Sequence, residues 1–198
     1  MKILFASPDR DLLECYKMIF EADFGQTVTA FDGTQVMALL SSESFDIAVL
    51  DCDIPRVEYG RLVTRMREIN LPVTALIKEP LTVRRLTEEP PANAYLPYPF
   101  TPEQIKSVVG GILEKAASKE ILSIAELKIS VSGYRIENGP YITGNEIDVL
   151  TSLLNGENVT PDDGACISAI NHRFEKTGSN VRIKYKTGKG FTPVYGNE

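Results

Sequence analysis

The sequence predicts a two-domain protein: an α/β domain with a five-stranded parallel sheet over residues 1–117, then a small α+β domain over residues 123–198. Three observations predict it. Short apolar runs alternate with helical apolar spacing through the first part, the pattern of a parallel sheet with crossover helices on both faces. After a short linker, 118–122, the pattern changes to period-two strands joined by tight turns. The 198 residues suit two small domains, since domains commonly hold about 100–150 residues.

Each element follows in order. Lys2–Ala6 is a buried-strand pattern, and Leu12, Leu13, Tyr16, Ile19 and Phe20 then recur at helical spacing. Val28–Phe31 reads as a second strand, and Val36, Leu39 and Leu40 as a helix ending near Ser41-Ser42. Asp46–Asp51 is apolar in its middle, as a central parallel strand should be. A loop with Pro55 and Gly60 precedes a helix around Leu62–Ile69; Pro72–Ile77 and Ala94–Leu96 are the fourth and fifth strands. Thr101-Pro102-Glu103 starts a helix to about Ala117, with Thr at the cap and Pro at the first helical position. In the second domain Leu127–Val131 and Tyr134–Ile136 alternate as antiparallel strands. Thr143-Gly144-Asn145-Glu146 has the capping-box spacing, with Ile147, Leu150, Leu153 and Leu154 following. Thr160–Asp163 starts another helix, and Val181–Lys186 with Phe191–Tyr195 form a hairpin around Thr187–Gly190.

Composition excludes several classes. The longest apolar runs fall far short of the roughly 20 residues of a spanning helix. The segment Met1–Ala6 reads as a strand, not a signal peptide, so a cytoplasmic location is expected. Cys15, Cys52 and Cys166 show no metal or disulfide spacing, and Cys52 is expected to be a buried, inert thiol. The net charge is −6, yet Gly164–Asn197 carries six basic residues against one acid, leaving the remainder at −11. A basic end on an acidic body suggests an anionic partner; a solvated charged face is the plainer alternative.

Ligand chemistry in open parallel sheets gathers at the carboxyl ends of the strands, where Ser7, Asp51, Ile77 and Tyr98 fall. The segment Val49-Leu50-Asp51-Cys52-Asp53-Ile54-Pro55, followed by Tyr59-Gly60, resembles the phosphoacceptor strand and loop of two-component receiver domains. Tyr95–Phe100 is similar to that family's fifth-strand segment, and the resemblance covers residues 1–117. Tyr141-Ile142-Thr143 through Leu154, with Thr187–Phe191, resembles the winged-helix effector domain of the OmpR/PhoB type over residues 122–195. The resemblance implies a flavodoxin-like receiver joined to a winged helix, in a DNA-binding transcriptional regulator of response-regulator type.

The departures from that pattern are specific. Phosphoryl transfer to an aspartate needs a divalent cation to neutralise phosphoryl charge. The family holds it with two acids after the first strand, and here those positions read Ser7-Pro8. The hydroxyl position after the fourth strand is Ile77, and the phosphate-pairing lysine is Tyr98. Of these groups only Asp51 remains, so an atypical pseudo-receiver is expected, without a cofactor. A rebuilt Mg2+ site from Asp9, Asp51 and Asp53 is the weaker alternative, with Asp51 then phosphorylated. The family's dimer face maps to Leu81–Glu89, Ala94–Leu96 and Thr101–Lys115, so Arg84, Arg85, Glu88 and Glu89 are expected to pair across a two-fold axis of a homodimer formed without phosphorylation.

In a winged helix one helix enters the major groove of double-stranded DNA and the hairpin meets the neighbouring backbone. With Ile167, Ile170 and Phe174 inward on the helix Pro161–Lys176, Ser168, Ala169, Asn171, His172 and Arg173 are expected outward. Asn171 and Arg173 are the expected base contacts, as Asn pairs with adenine and Arg with guanine. Ser168 and His172 are expected at phosphate or base, and Lys176, Lys184, Lys186 and Lys189 in the phosphate footprint. The family's extra helix and loop before the recognition helix are missing: only Asn155–Asp163 fills that space. That loop commonly touches RNA polymerase, which leaves polymerase or another regulatory protein open as a partner. An enzyme is not expected, since the sequence shows no nucleophile–base pair or phosphate loop. The rival from another class is a protein-binding adaptor that has lost DNA contact.

Overall fold

In the computed structural model, β1 (Lys2–Ala6), β2 (Gln26–Ala30), β3 (Ile47–Asp51), β4 (Val73–Ile77) and β5 (Ala94–Pro97) form a parallel sheet in the order β2-β1-β3-β4-β5. The structure describes residues 1–78, 90–157, 159–160, 163–186 and 190–195. The helix expected near 81–89, and with it Arg84, Arg85, Glu88 and Glu89, lies outside the described residues, as does Lys189.

Central strands carry the continuous apolar sequence that two covered faces require. Ile3, Leu4, Phe5 and Ala6 of β1 and Ile47–Leu50 of β3 are wholly buried. The helices on this sheet are α1 (Arg10–Asp23), α2 (Gly33–Ser42), α3 (Tyr59–Glu68) and α4 (Pro102–Ala117). Phe20 of α1 packs edge-on against Phe5, with ring centroids 5.7 Å apart. Asp32 caps α2 by accepting from Thr34 N and Gln35 N. Gly33 sits so near the next loop that a Cβ there would lie 2.6 Å from the Val57 Cβ.

The second unit, from residue 115 onward, has its own core. Its elements are β6 (Ile121–Ile124), β7 (Leu127–Ser130), β8 (Arg135–Ile136), α5 (Gly144–Leu154), α6 (Gly164–Lys176), β9 (Val181–Lys186) and β10 (Gly190–Tyr195). The first three form an antiparallel sheet, β6-β7-β8, and the last two a hairpin. The expected linker 118–122 is corrected at its end: Ile121 and Leu122 belong to β6, paired with Ser130 and Ile129. The capping box at α5 is present, with Thr143 N donating to Glu146 and Glu146 N donating to the Thr143 hydroxyl. Only residues 155–163 join α5 to α6. No helix among the described residues is long and apolar enough to cross a membrane.

Candidate functional site

Three strand ends place the first site. Asp51 ends β3, Ser7 follows β1 and Tyr98 follows β5, because parallel strands bring their carboxyl ends to one edge of the sheet. Asp51 is 2% exposed. Its Oδ2 accepts from the Ser7 hydroxyl at 3.0 Å and from the Tyr98 hydroxyl at 3.1 Å. Its Oδ1 accepts from Asp53 N at 2.9 Å. A buried carboxylate needs such donors. Burial, then the charge of Asp51 and the hydrogen bond to it, push the Tyr98 phenol well above its ordinary value, so it remains a donor.

The three acids of the weaker alternative, a rebuilt metal site, are engaged elsewhere. Asp9 caps α1, its Oδ1 accepting from Leu12 N at 3.0 Å. The Asp53 carboxylate pairs with Lys78 at 2.8 Å near the surface. Among the described residues no group of three acidic, histidine or cysteine side chains is placed to hold a metal ion. The donor set therefore does not fit the cation of phosphoryl-transferring receivers. Ser7 and Tyr98 both donate to the same oxygen of Asp51.

Sequence reasoning missed Lys78. The residue follows Ile77 at the end of β4, and the strand-end rule would have found it. Its hydrogen bond to Asp53 and that charge hold its ammonium above the ordinary value, with Asp51 and Asp9 adding to the effect. Among the thiols, Cys15 is exposed and Cys52 half-buried rather than buried as expected. Burial pushes the Cys166 thiol far up from its ordinary value.

The second candidate site is α6 with the hairpin β9–β10. Two expected base contacts are corrected here. Arg173 is wholly buried, its Nε donating to Glu146 at 2.9 and 3.0 Å. Asn171 spends both ends of its amide on β9: Nδ2 donates to Ile183 O at 2.9 Å, and Oδ1 accepts from Ile183 N at 2.8 Å. Ala169, also expected outward, is wholly buried. The face of α6 that meets water instead carries Ala165, Ser168, Glu175 and Lys176, with His172 half-buried between them. On the hairpin, Lys184, Tyr185 and Lys186 are exposed, as expected for the lysines. Glu146 was missed as a partner because its capping role explains its presence without one. Burial pushes its carboxyl up from the ordinary value, and Arg173 and Thr143 oppose that push.

Fold and site together define a class: a receiver-type α/β domain followed by a small α+β winged-helix domain. Known proteins are similar at both levels. The chain is 28% identical to the transcriptional regulatory protein TctD of Salmonella typhimurium over 226 aligned positions, covering 100% of this chain and 99% of that protein. It is 26% identical to the transcriptional regulatory protein CiaR of Streptococcus pneumoniae, covering 80% of this chain and 74% of that one. Residues amounting to 59% of the chain match the receiver domain of the Francisella response regulator 1452, with 28% identity and a TM-score of 0.53 over 98% of that structure. The fold of 98% of the chain matches 99% of DrrB, an OmpR/PhoB homolog of Thermotoga maritima, at a TM-score of 0.56 and 18% identity. No protein-family profile matches the chain.

Proposed function

We propose that this chain is a DNA-binding transcriptional regulator of response-regulator type, with a degenerate receiver that dimerises without phosphorylation at Asp51. The observation that carries the reading is likeness along the whole chain: to a named transcriptional regulator in sequence, and to an OmpR/PhoB homolog in fold. The charge distribution agrees with it, since the basic segment Gly164–Asn197 coincides with α6 and the hairpin. The hydroxyls of Ser7 and Tyr98 on Asp51 support the phosphorylation-independent part. A cytoplasmic location and a non-enzymatic role go with the reading.

Fluorescence anisotropy against random-sequence duplex DNA in a salt series tests it. Four phosphates neutralised by Lys176, Lys184, Lys186 and Lys189 imply a log–log slope of about −3.6, or roughly 100-fold between 50 and 200 mM salt. No binding at low salt would overturn the reading in favour of a protein-binding adaptor.

A further inference from the structure

The pair Asn-Gly occurs twice in the chain, as Asn138-Gly139 and as Asn155-Gly156. In this pair an asparagine can react with its own backbone, because glycine has no side chain to keep the following N–H away from the asparagine amide. Both asparagines are exposed, so water reaches each. What differs is how firmly the fold holds the nitrogen that would attack.

Gly139 is held closely. Its N–H donates to Ile136 O at 2.9 Å, in the turn after β8. A Cβ there would lie 2.9 Å from Thr177 Cγ2 and 3.1 Å from Ile136 Cβ, so the turn is wedged between these two side chains. Asn155 and Gly156 stand instead at the carboxyl end of α5. Asn155 is the C-cap, and Gly156 takes the left-handed φ of +73° that commonly ends a helix. The Gly156 N–H reaches Leu153 O only at 3.3 Å, and a Cβ at Gly156 would find open space. Helix ends fray. A small local opening therefore frees the Gly156 nitrogen, whereas freeing that of Gly139 requires the turn to leave its packing.

We propose that Asn155 is a site of spontaneous covalent ageing in this protein. The Gly156 nitrogen loses its proton to base and bonds to Asn155 Cγ, and the side-chain nitrogen leaves as ammonia. Water then opens the resulting cyclic imide at either of its carbonyls. One opening leaves aspartate at position 155, and the other leaves isoaspartate, whose main chain is longer by a methylene. Neither oxidant nor reductant takes part. Both products put a carboxylate at the carboxyl end of α5, where the helix dipole disfavours negative charge and no basic residue stands in the last turn. Glu157 already places an exposed acid there, bonded to the Ser152 hydroxyl at 2.8 Å. The change thus weakens the end of α5, from which the short connection 155–163 leads to α6. The inference stands apart from the DNA-binding reading and does not depend on it.

The test holds the full chain at mildly alkaline pH and follows both asparagines by tandem mass spectrometry, with isoaspartate counted by its enzymatic methylation. The same chain unfolded in urea gives the reactivity of each pair without the fold. Native Asn155 should convert faster than native Asn138 by about tenfold, the change in rate that one hydrogen bond's net contribution makes. In urea the two should convert at similar rates. Asn155→Asp, which supplies the aspartyl product directly, should unfold at a lower urea concentration than the wild type. Asn155→Gln, neutral and slow to close its larger ring, should show no conversion at this position. Native Asn138 converting as fast as Asn155, or Asn155→Asp resisting urea as well as the wild type, would overturn the inference.

Discussion

Arg173 and Glu146 form an ion pair with both side chains wholly out of solvent. A buried pair of this kind contributes little over an apolar replacement, but removing one partner strands the other charge. Arg173→Ala should therefore destabilise the second unit by about 3–5 kcal/mol, read by urea unfolding. A loss below about 1 kcal/mol would contradict the burial of the pair. This prediction also guards the DNA experiment, because weaker binding by this variant would report loss of fold rather than of a base contact. Asp51 shows the same economy at the other site. Its carboxylate accepts from two hydroxyls and a backbone N–H.

Helix ends and faces divide what the sequence discloses from what it hides. Caps were legible, because Thr143 with Glu146, and Pro102 after Thr101, are local chemistry within one turn. Asp32, which starts α2, carries a pH signature of the same local kind. Its carboxyl is held below its ordinary value, first by the Gln35 N–H, with the charge of Arg56 and the Thr34 N–H also lowering it. A folded-state value below the unfolded one contributes stability above the unfolded value, and that contribution is lost as pH falls through the folded value. The stability gap between the wild type and Asp32→Ala should thus be constant near neutrality and shrink below about pH 4, in unfolding curves taken across pH. A gap that stays constant to pH 2 would refute the assignment. The inner face of α6 was only partly legible. Ile167, Ile170 and Phe174 fixed its phase, but a polar residue beside that stripe reads as outward unless its partner is known. The partner of Arg173 lies 27 residues away, and that of Asn171 12 residues away, beyond the reach of helical periodicity. The parallel sheet was legible almost entirely, because burial on both faces leaves its strands nearly pure apolar runs.

At the scale of the whole molecule, charge and assembly are coupled. The chain carries −6 overall while Gly164–Asn197 carries six basic residues against one acid, so on the proposed reading a monomer would hold DNA through few cations. A dimer offers two such segments to one duplex and gains affinity through effective concentration without a new contact. That dimer must form without a phosphoryl signal if Asp51 is occupied as observed. A phosphoryl group on Oδ2 would have to displace both the Ser7 and Tyr98 hydroxyls, with no acid pair after β1 to hold the cation of the transfer. Sedimentation velocity of the untreated protein at micromolar concentration should then give twice the 21.9 kDa of one chain. Acetyl phosphate with magnesium should leave both the sedimentation and the intact mass unchanged. A monomer that becomes a dimer only with acetyl phosphate, together with an added phosphoryl mass on Asp51, would mean that the hydroxyls yield and that the receiver still switches.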